Sequence, residues 1–349
     1  MIFEGIESFL GNTPMMRISR LFRDLNVFAK LEYLNPTFSI KDRPAYYMIQ
    51  EAVRKKKIHP GNTVIAATSG NTGLGLCLAC KINQLNLICT VFDSVSIEKI
   101  ALLKSYGAHV VVCDSDVPSD EEGGYVWVAK SLSQEIKNSV LIDQFVDINN
   151  PLAHYQTTGP ELYEQLRGKI DYFFSTIGTG GTISGIGRYL KEKNPSIKVI
   201  GVEPEGGIYR DTFLQKTPLY SDHLIHSISD NFISQNMDFS VVDDIISVKD
   251  IDSFRLCYEL LDREQICAGT SSGCVLAGIK KFFERTEVIN PEPIITTVLP
   301  DCGLKYIDTL FNPDYLEQHD IRLDGKSDDE LRQQIAKTIA QFPKKVEIA

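Results

Sequence analysis

The chain has 349 residues, 43% hydrophobic and 23% charged, enough for one large or two medium globular units. A net charge of −10 without any basic block argues against nucleic acid and anionic membranes as main partners. No apolar run approaches the roughly 18 residues of a membrane span.

The first ten residues carry two Glu and no basic residue, which is not a secretory signal. Eight cysteines scattered through apolar runs suit the reduced core thiols of a cytoplasmic protein. In chain order, Asn26 to Tyr33 alternates Val27, Ala29, Leu31 and Tyr33 against Phe28 and Lys30. This predicts a strand that runs into the Asn35-Pro36 turn signal. A helix is expected from Pro44 to Lys57, with Lys41 in the loop before it. Strand Thr63–Ala67, helix Asn71–Asn83, strand Leu87–Phe92 and helix Ser96–Tyr106 follow, the last capped by Ser96 and stopped by Gly107. His109–Cys113 is another β-rich run, 115–124 a surface loop, Tyr125–Lys137 helical and Val140–Phe145 extended. A second series comprises helix Ala153–Arg167, strand Asp171–Thr176, helix Gly181–Lys193 and strand Ile197–Glu203. Helices Asp250–Arg263 and Ser272–Glu284 and strand Ile294–Leu299 complete it. The intervening stretch, 206–236, has little periodicity, and a stretch that long in a compact domain is usually functional. Apolar strands alternating with helices predict an α/β protein with parallel sheets covered on both faces. Residues beyond about 323 are charged and helix-compatible and read as an appended tail.

Several loops between these elements carry groups suited to chemistry. Lys41 stands at the head of a helix, whose partial positive field disfavours its charge, and a neutral lysine is what Schiff-base chemistry needs. Gly178-Thr179-Gly180-Gly181-Thr182 separates a strand from a helix, so backbone N–H groups converge as a seat for phosphate. A dinucleotide site is the rival, since Glu203 ends the next strand about where a ribose-binding acid would lie. Ile183 stands where that pattern needs a small residue, which favours a small phosphate ester. Thr68-Ser69-Gly70-Asn71-Thr72-Gly73 offers hydroxyls and an amide suited to a carboxylate, and Gly269 to Gly273 is a loop of the same kind. For both, a plain capped helix is the alternative. Cys77-x-x-Cys80 sits mid-helix without a second pair, and His223 and His226 lack thiolate or carboxylate neighbours in sequence, so no metal site is expected. A lysine, a phosphate seat and a carboxylate loop jointly point to pyridoxal phosphate acting on an amino acid.

Asn35-Pro-x-x-Ser39-x-Lys41-Asp-Arg, Thr68-Ser-Gly-Asn-Thr-Gly73, Gly178-Thr-Gly-Gly-Thr182 and Leu299-Pro-Asp-x-Gly303 stand in one order. That order resembles fold-type II pyridoxal-phosphate enzymes, the group of cysteine synthase and cystathionine β-synthase, over about residues 5 to 320. The resemblance implies two doubly wound sheets of the tryptophan-synthase-β type with the active site between them. It implies a larger cofactor-binding domain of residues 1–42 and 147–322, a smaller mobile substrate-binding domain of 43–146, a helical tail of 323–349, and a homodimer. Asp143-Gln144-Phe145, the segment Asn149 to Thr158 and Gly201 to Gly206 are most similar to cystathionine β-synthase, without segments resembling its haem or regulatory regions. Thr37-Phe38 is similar to the cysteine synthase lysine loop. Arg43-Pro44-Ala45 and Gly123-Gly124-Tyr125 are similar to synthases that join glutamate to phosphoserine in diaminopropionate pathways.

By this resemblance Lys41 forms the internal aldimine and shuttles the Cα proton, and Asn71 hydrogen-bonds the ring hydroxyl. Thr68, Ser69, Thr72 and Gln144 hold the substrate carboxylate. Gly178, Thr179, Gly180, Gly181 and Thr182 bind the phosphate, and Ser271 faces the pyridine nitrogen. A neutral hydroxyl there leaves the ring a weaker electron sink, so the β-substituent is expelled and a thiol adds to the aminoacrylate. The implied reaction condenses serine with homocysteine to cystathionine. Cysteine synthesis from O-acetylserine and sulfide, and a diaminopropionate-type synthase with an amine nucleophile, are the alternatives. The chain departs from its relatives at Ala66-Ala67 (commonly Glu-Pro), at Phe145 (tyrosine in cystathionine synthases) and at Ser227-Ile228-Ser229 (Gly-Ile-Gly). The last change places Ser227 at the entrance used by the second substrate, narrowing or polarising it.

Overall fold

The computed structural model describes residues 2–286 and 292–323, with residue 337 beyond them, so nearly all of the expected tail lies outside the described residues. A short antiparallel pair begins the chain, β1 (Met15–Arg17) against β2 (Asn26–Leu31). Through α1 (Asp42–Arg54) the chain enters a smaller sheet of β3 (Thr63–Ala67), β4 (Asn86–Phe92), β5 (His109–Cys113) and β6 (Ser139–Leu141). These strands are all parallel, in the order β5-β4-β3-β6, and α2 (Asn71–Ile82), α3 (Ile97–Ser105) and α4 (Tyr125–Glu135) connect them.

The return runs through α5 (Asn149–Ala153), a π-helical turn (His154–Thr158) and α6 (Gly159–Gln165). Then come β7 (Tyr172–Thr176), α7 (Gly181–Lys193), β8 (Lys198–Pro204), α8 (Tyr209–Phe213) and β9 (Asp244–Val248). Helices α9 (Asp250–Glu264) and α10 (Thr270–Phe283), strand β10 (Ile294–Leu299) and α11 (Pro313–Gln318) end the described fold. The larger sheet has the order β1-β2-β10-β7-β8-β9 and is parallel except at β1.

Adjacent residues on β7 show why both faces are covered. Phe173 packs with Ile186, Leu190 and Val199, Phe174 packs with Phe254, Val275 and Ile279, and both rings are fully buried. Successive strand residues face opposite sides, and each such burial contributes about 2–3 kcal/mol. In the smaller sheet Val64 and Ala66 pack with Met48 and Ile49 of α1 and Leu76 and Cys80 of α2. The parallel strands all direct their carboxyl ends, and the loops that follow them, to where a ligand site forms in open α/β sheets.

The α/β alternation expected from the sequence is present, with local differences. Helix α1 starts at Asp42, two residues before Pro44, because the Asp42 carboxylate accepts hydrogen bonds from the Thr37 N–H and hydroxyl. Pro44 sits in the first turn, where its missing N–H is harmless. Pairing of the extended run at Val140 stops at Leu141, and a turn follows in which the Phe145 N–H donates to Asp143 Oδ1 at 2.9 Å. The helix expected at Ala153–Arg167 begins at Asn149 and passes through the π-turn, where the Thr157 hydroxyl donates to the Ala153 carbonyl. Strands β1 and β9 were not anticipated: the first is three residues long, and the second, Asp244-Ile-Ile-Ser-Val248, is a short apolar run among acids. No helix among the described residues is long and apolar enough to cross a membrane.

Candidate active site

The lysine loop is pinned to the end of β10. The Ile40 N–H donates to the Pro300 carbonyl at 2.7 Å, and Ser39 forms an antiparallel bridge with Asp301. Helix α2 lies against this loop so closely that a Cβ on Gly75 would stand 2.9 Å from the Lys41 carbonyl oxygen. Lys41 is the residue before α1, is half-buried and lines the cleft. Burial, the largest influence, pulls its ammonium below the ordinary value, while Asp301 and Asp230 act in the opposite direction. Desolvation therefore leads the account given from the helix field.

Behind the loop, Arg43 is almost fully buried and makes paired contacts of 2.7–2.8 Å with Glu32 and of 2.7 Å with Glu161. Lys30 joins Glu161 at 2.8 Å. The sequence reading assigned Arg43 no part in the site. Its partners come from β2's end and from α6, which no local pattern brings together.

Gly178 to Thr182 turns into α7 along the cleft opposite Lys41. Gly180 has φ of 75°, a left-handed conformation, and a Cβ there would meet Met237 at 2.8 Å. A Cβ on Gly178 would meet the Ser227 carbonyl at 2.7 Å, and one on Gly181 the Asn150 side chain at 2.0 Å. The loop is thus backed on several sides and offers backbone N–H groups at a helix N-terminus. Asn150 donates to the Gln144 carbonyl at 2.7 Å and to Thr179 Oγ1 at 3.0 Å, so the smaller sheet's last loop is tied to this turn.

One cleft is lined by Lys41, Asn71, Gly178, Thr179, Gly180, Thr182, Ser227 and Ser271. Gly181 belongs to the same turn. Thr68, Ser69, Thr72 and Gln144 do not line that cleft. Thr68 and Thr72 are buried at the start of α2, Ser69 stands half-buried between them, and the Thr72 hydroxyl donates to Gln144 Oε1 at 2.5 Å.

Asp301 and Tyr306 also line the cleft and were not chosen from the sequence. Asp301 Oδ2 accepts from Asn71 Nδ2 and from the Tyr306 hydroxyl, both at 2.6 Å, while Lys305 Nζ donates to Asn71 Oδ1 at 2.6 Å. The Asn71 amide is therefore held with a fixed orientation. Asp301 was visible only as a letter in the Leu299-Pro-Asp-x-Gly303 motif, and Lys305 and Tyr306 follow it directly. His226, considered only as a metal ligand, lines the cleft and stacks on Tyr306 at 5.7 Å, its imidazolium pushed down to about 4 by burial. Cys77 and Cys80 are buried in α2, where burial pushes the Cys77 thiol up to about 11 and the Cys80 thiol higher still. Among the described residues no three His, Cys, Asp or Glu side chains converge as a metal site.

Known proteins resemble this chain over most of its length. A cystathionine beta-synthase of Apis mellifera is 36% identical over 318 residues, which cover 90% of this chain and 62% of that protein. The Rattus norvegicus cystathionine beta-synthase is also 36% identical, over 88% of this chain and 55% of its own length. This chain thus spans little more than half of these relatives. Cysteine synthase 3 of Caenorhabditis elegans is 35% identical over 92% of this chain and 93% of that protein. Among solved structures, O-ureido-L-serine synthase superposes with a TM-score of 0.84 at 28% identity, covering 95% of this chain and all of that one. The pattern of the family described as "Pyridoxal-phosphate dependent enzyme" matches residues 6–300, and the chain belongs to that family, in its fold-type II branch.

Proposed function

We propose that the chain catalyses β-replacement on L-serine, condensing it with homocysteine to give cystathionine and water. The observation that carries the reading is the convergence of desolvated Lys41, the backed Gly178–Thr182 turn and Ser271 on one cleft. The cofactor of the family is pyridoxal phosphate, and the residues present fit it. The turn has backbone donors for a phosphate, and Ser271 in the first turn of α10 is a neutral partner for a ring nitrogen. Asn71, held by Asp301 and Lys305, keeps an amide hydrogen for a ring hydroxyl. When bound, pyridoxal phosphate supplies the electron sink that makes the Cα proton acidic and the Cβ–oxygen bond breakable.

The chain's own groups do the rest. Thr68, Ser69, Thr72 and Gln144 hold the amino-acid carboxylate, with Thr72 and Gln144 already paired as one unit. Lys41 takes the Cα proton and delivers one back. Serine thus loses that proton and its β-hydroxyl as water; the thiol sulfur bonds to Cβ and the thiol hydrogen is replaced at Cα. Ser227 stands at the mouth where the thiol arrives. Residues 43–146, which contain all four strands of the smaller sheet, act as the mobile substrate-binding unit against 1–42 and 147–322. A cytoplasmic homodimer belongs to the same proposal. A second reading, cysteine synthesis from O-acetylserine and sulfide, draws support from Thr37-Phe38 in the lysine loop. An amine-donor synthase draws support from Arg43-Pro44-Ala45.

The test supplies purified holoenzyme with serine or O-acetylserine, each with homocysteine or sulfide, and identifies products by mass spectrometry. Cystathionine from serine is expected. Cysteine made only from O-acetylserine would replace the reading by its rival. Lys41→Ala is expected to lose turnover and the lysine-bound visible absorbance together; near-wild-type turnover would overturn the assignment.

A further inference from the structure

At the turn into α7 two threonines, Thr179 and Thr182, line the cleft. Behind the hydroxyl of each stands a buried polar side chain from the segment Asn149–Thr158. Asn150, 2% exposed, donates from Nδ2 to Thr179 Oγ1 at 3.0 Å and to the Gln144 carbonyl at 2.7 Å. A carbonyl only accepts, so the amide is fixed with its NH2 group toward Thr179. Thr179 Oγ1 also accepts from the Gly181 N–H at 3.3 Å. With both lone pairs engaged, the Thr179 hydroxyl has only its own proton left to offer.

His154 is fully buried behind Thr182. Its Nε2 lies 3.3 Å from Thr182 Oγ1 and its Nδ1 2.9 Å from Thr158 Oγ1. The π-turn brings His154 and Thr158 together, and α7 is pressed onto it so closely that a Cβ on Gly185 would stand 2.8 Å from the His154 Cβ. Burial, aided by the charges of Arg43 and Lys41, pulls the imidazolium well below its ordinary value, so the ring is neutral and carries one proton. That proton can sit on either nitrogen. On Nδ1 it goes to Thr158; the Thr182 hydroxyl then donates inward to Nε2 and turns its lone pairs to the cleft. On Nε2 it goes to Thr182 Oγ1; Thr158 then donates to Nδ1, and the Thr182 proton is left for the cleft. An anion in the cleft favours the second arrangement, because it meets a donor instead of lone pairs.

We infer that His154 is a positioning residue for the cofactor phosphate, donating from Nε2 so that the Thr182 hydroxyl is turned, like that of Thr179, to donate to a phosphate oxygen. The inference rests on the reading of Gly178–Thr182 as the phosphate seat. His154 does not itself line the cleft, so its effect passes through Thr182. Thr158, also fully buried, supplies the proton that Nδ1 needs in this tautomer.

Dilution of the holoenzyme, followed by its lysine-bound absorbance, gives the dissociation constant of pyridoxal phosphate in each variant. Thr182→Val is expected to weaken binding by about tenfold or more, the effect of one hydrogen bond to a charged group. His154→Phe keeps a ring of similar bulk without a donor and is expected to weaken binding by about tenfold. His154→Gln, whose amide N–H reaches the place of Nε2, is expected to restore most of that loss. Added to Thr182→Val, His154→Phe is expected to change nothing further. Wild-type affinity in His154→Phe, a loss of equal size in both backgrounds, or no restoration by His154→Gln overturns the inference and leaves the phosphate seat standing. An unchanged constant in Thr182→Val overturns the reading of the seat, and the inference with it. If His154→Phe does not fold, nitrogen-15 NMR of the wild-type holoenzyme reads the tautomer directly, with the His154 signals assigned by their absence from His154→Gln. A proton on Nε2 is expected; a proton on Nδ1 overturns the inference.

Discussion

Arg43 lies two residues past the lysine, and its guanidinium points away from the chemistry into a buried set of carboxylates. Both forks are used, one on Glu32 and one on Glu161, so the side chain ties the start of α1 to β2's end and to α6. Arg43→Ala is expected to cost about 3–5 kcal/mol in urea denaturation, because it leaves buried carboxylates without their partner. The same network sets an acid limit. Burial alone would raise Glu161, but the hydrogen bonds and charge of Arg43, with Lys30, hold its carboxyl at about 2, below the ordinary 4.5. The folded state thus binds this proton less readily than the unfolded chain. The resulting stability, about 3 kcal/mol, is complete above pH 4.5 and is lost as pH falls toward 2. Asp42, pushed up to about 6 by burial against the opposing Thr37 hydrogen bonds, acts with the opposite sign between pH 6 and 4. Urea midpoints from pH 6 to 2.5 check this, and Glu161→Gln is expected to flatten the fall below pH 4.5. A lysine before a helix could be picked out from its neighbours. The purpose of Arg43 could not, because its two partners lie 11 and 118 residues away.

At the scale of elements, the turn into α7 depends on glycines for reasons of both conformation and space. Gly180 holds φ at 75° and abuts Met237. Gly180→Ala meets a left-handed penalty of about 1–2 kcal/mol in addition to the contact. Pyridoxal phosphate is expected to bind at least tenfold more weakly, read from the absorbance retained after gel filtration. Retention equal to wild type would mean that the turn is not the phosphate seat. The position of Gly178 to Thr182 between a strand and a helix was legible from sequence because clustered glycines break regular structure. Strands Thr63–Ala67, His109–Cys113 and Ile294–Leu299 were legible for a similar reason, as apolar runs bounded by turn residues. The π-turn at His154–Thr158 was not. It follows from packing of this segment against α7, where a Cβ on Gly185 would stand 2.1 Å from the Pro151 carbonyl.

At the scale of the molecule, an apolar surface beside the lysine loop is not covered by any of the described residues. Phe38, Leu304 and Ile307 are 53%, 66% and 62% exposed. The contact of the Phe38 carbonyl with the Cys302 N–H, and of Lys305 Nζ with the Thr37 carbonyl, keeps their two segments together. Such a patch suits a second copy of the chain. Light scattering is expected to give a dimer that Leu304→Asp with Ile307→Asp converts to monomer; an unchanged mass would place the interface elsewhere.

The alternation of strands and helices, the placing of Lys41 and of the Gly178–Thr182 turn at the starts of helices, and the class of cofactor were determined by the sequence itself, since each is encoded in a few neighbouring residues whose spacing matches a local backbone geometry. Tertiary structure alone decided that Asp301 and Lys305 hold Asn71, and that Arg43 joins Glu32 to Glu161. Those pairings join residues far apart in the chain. Only the closure of two sheets on a shared cleft brings their charges within reach of one another.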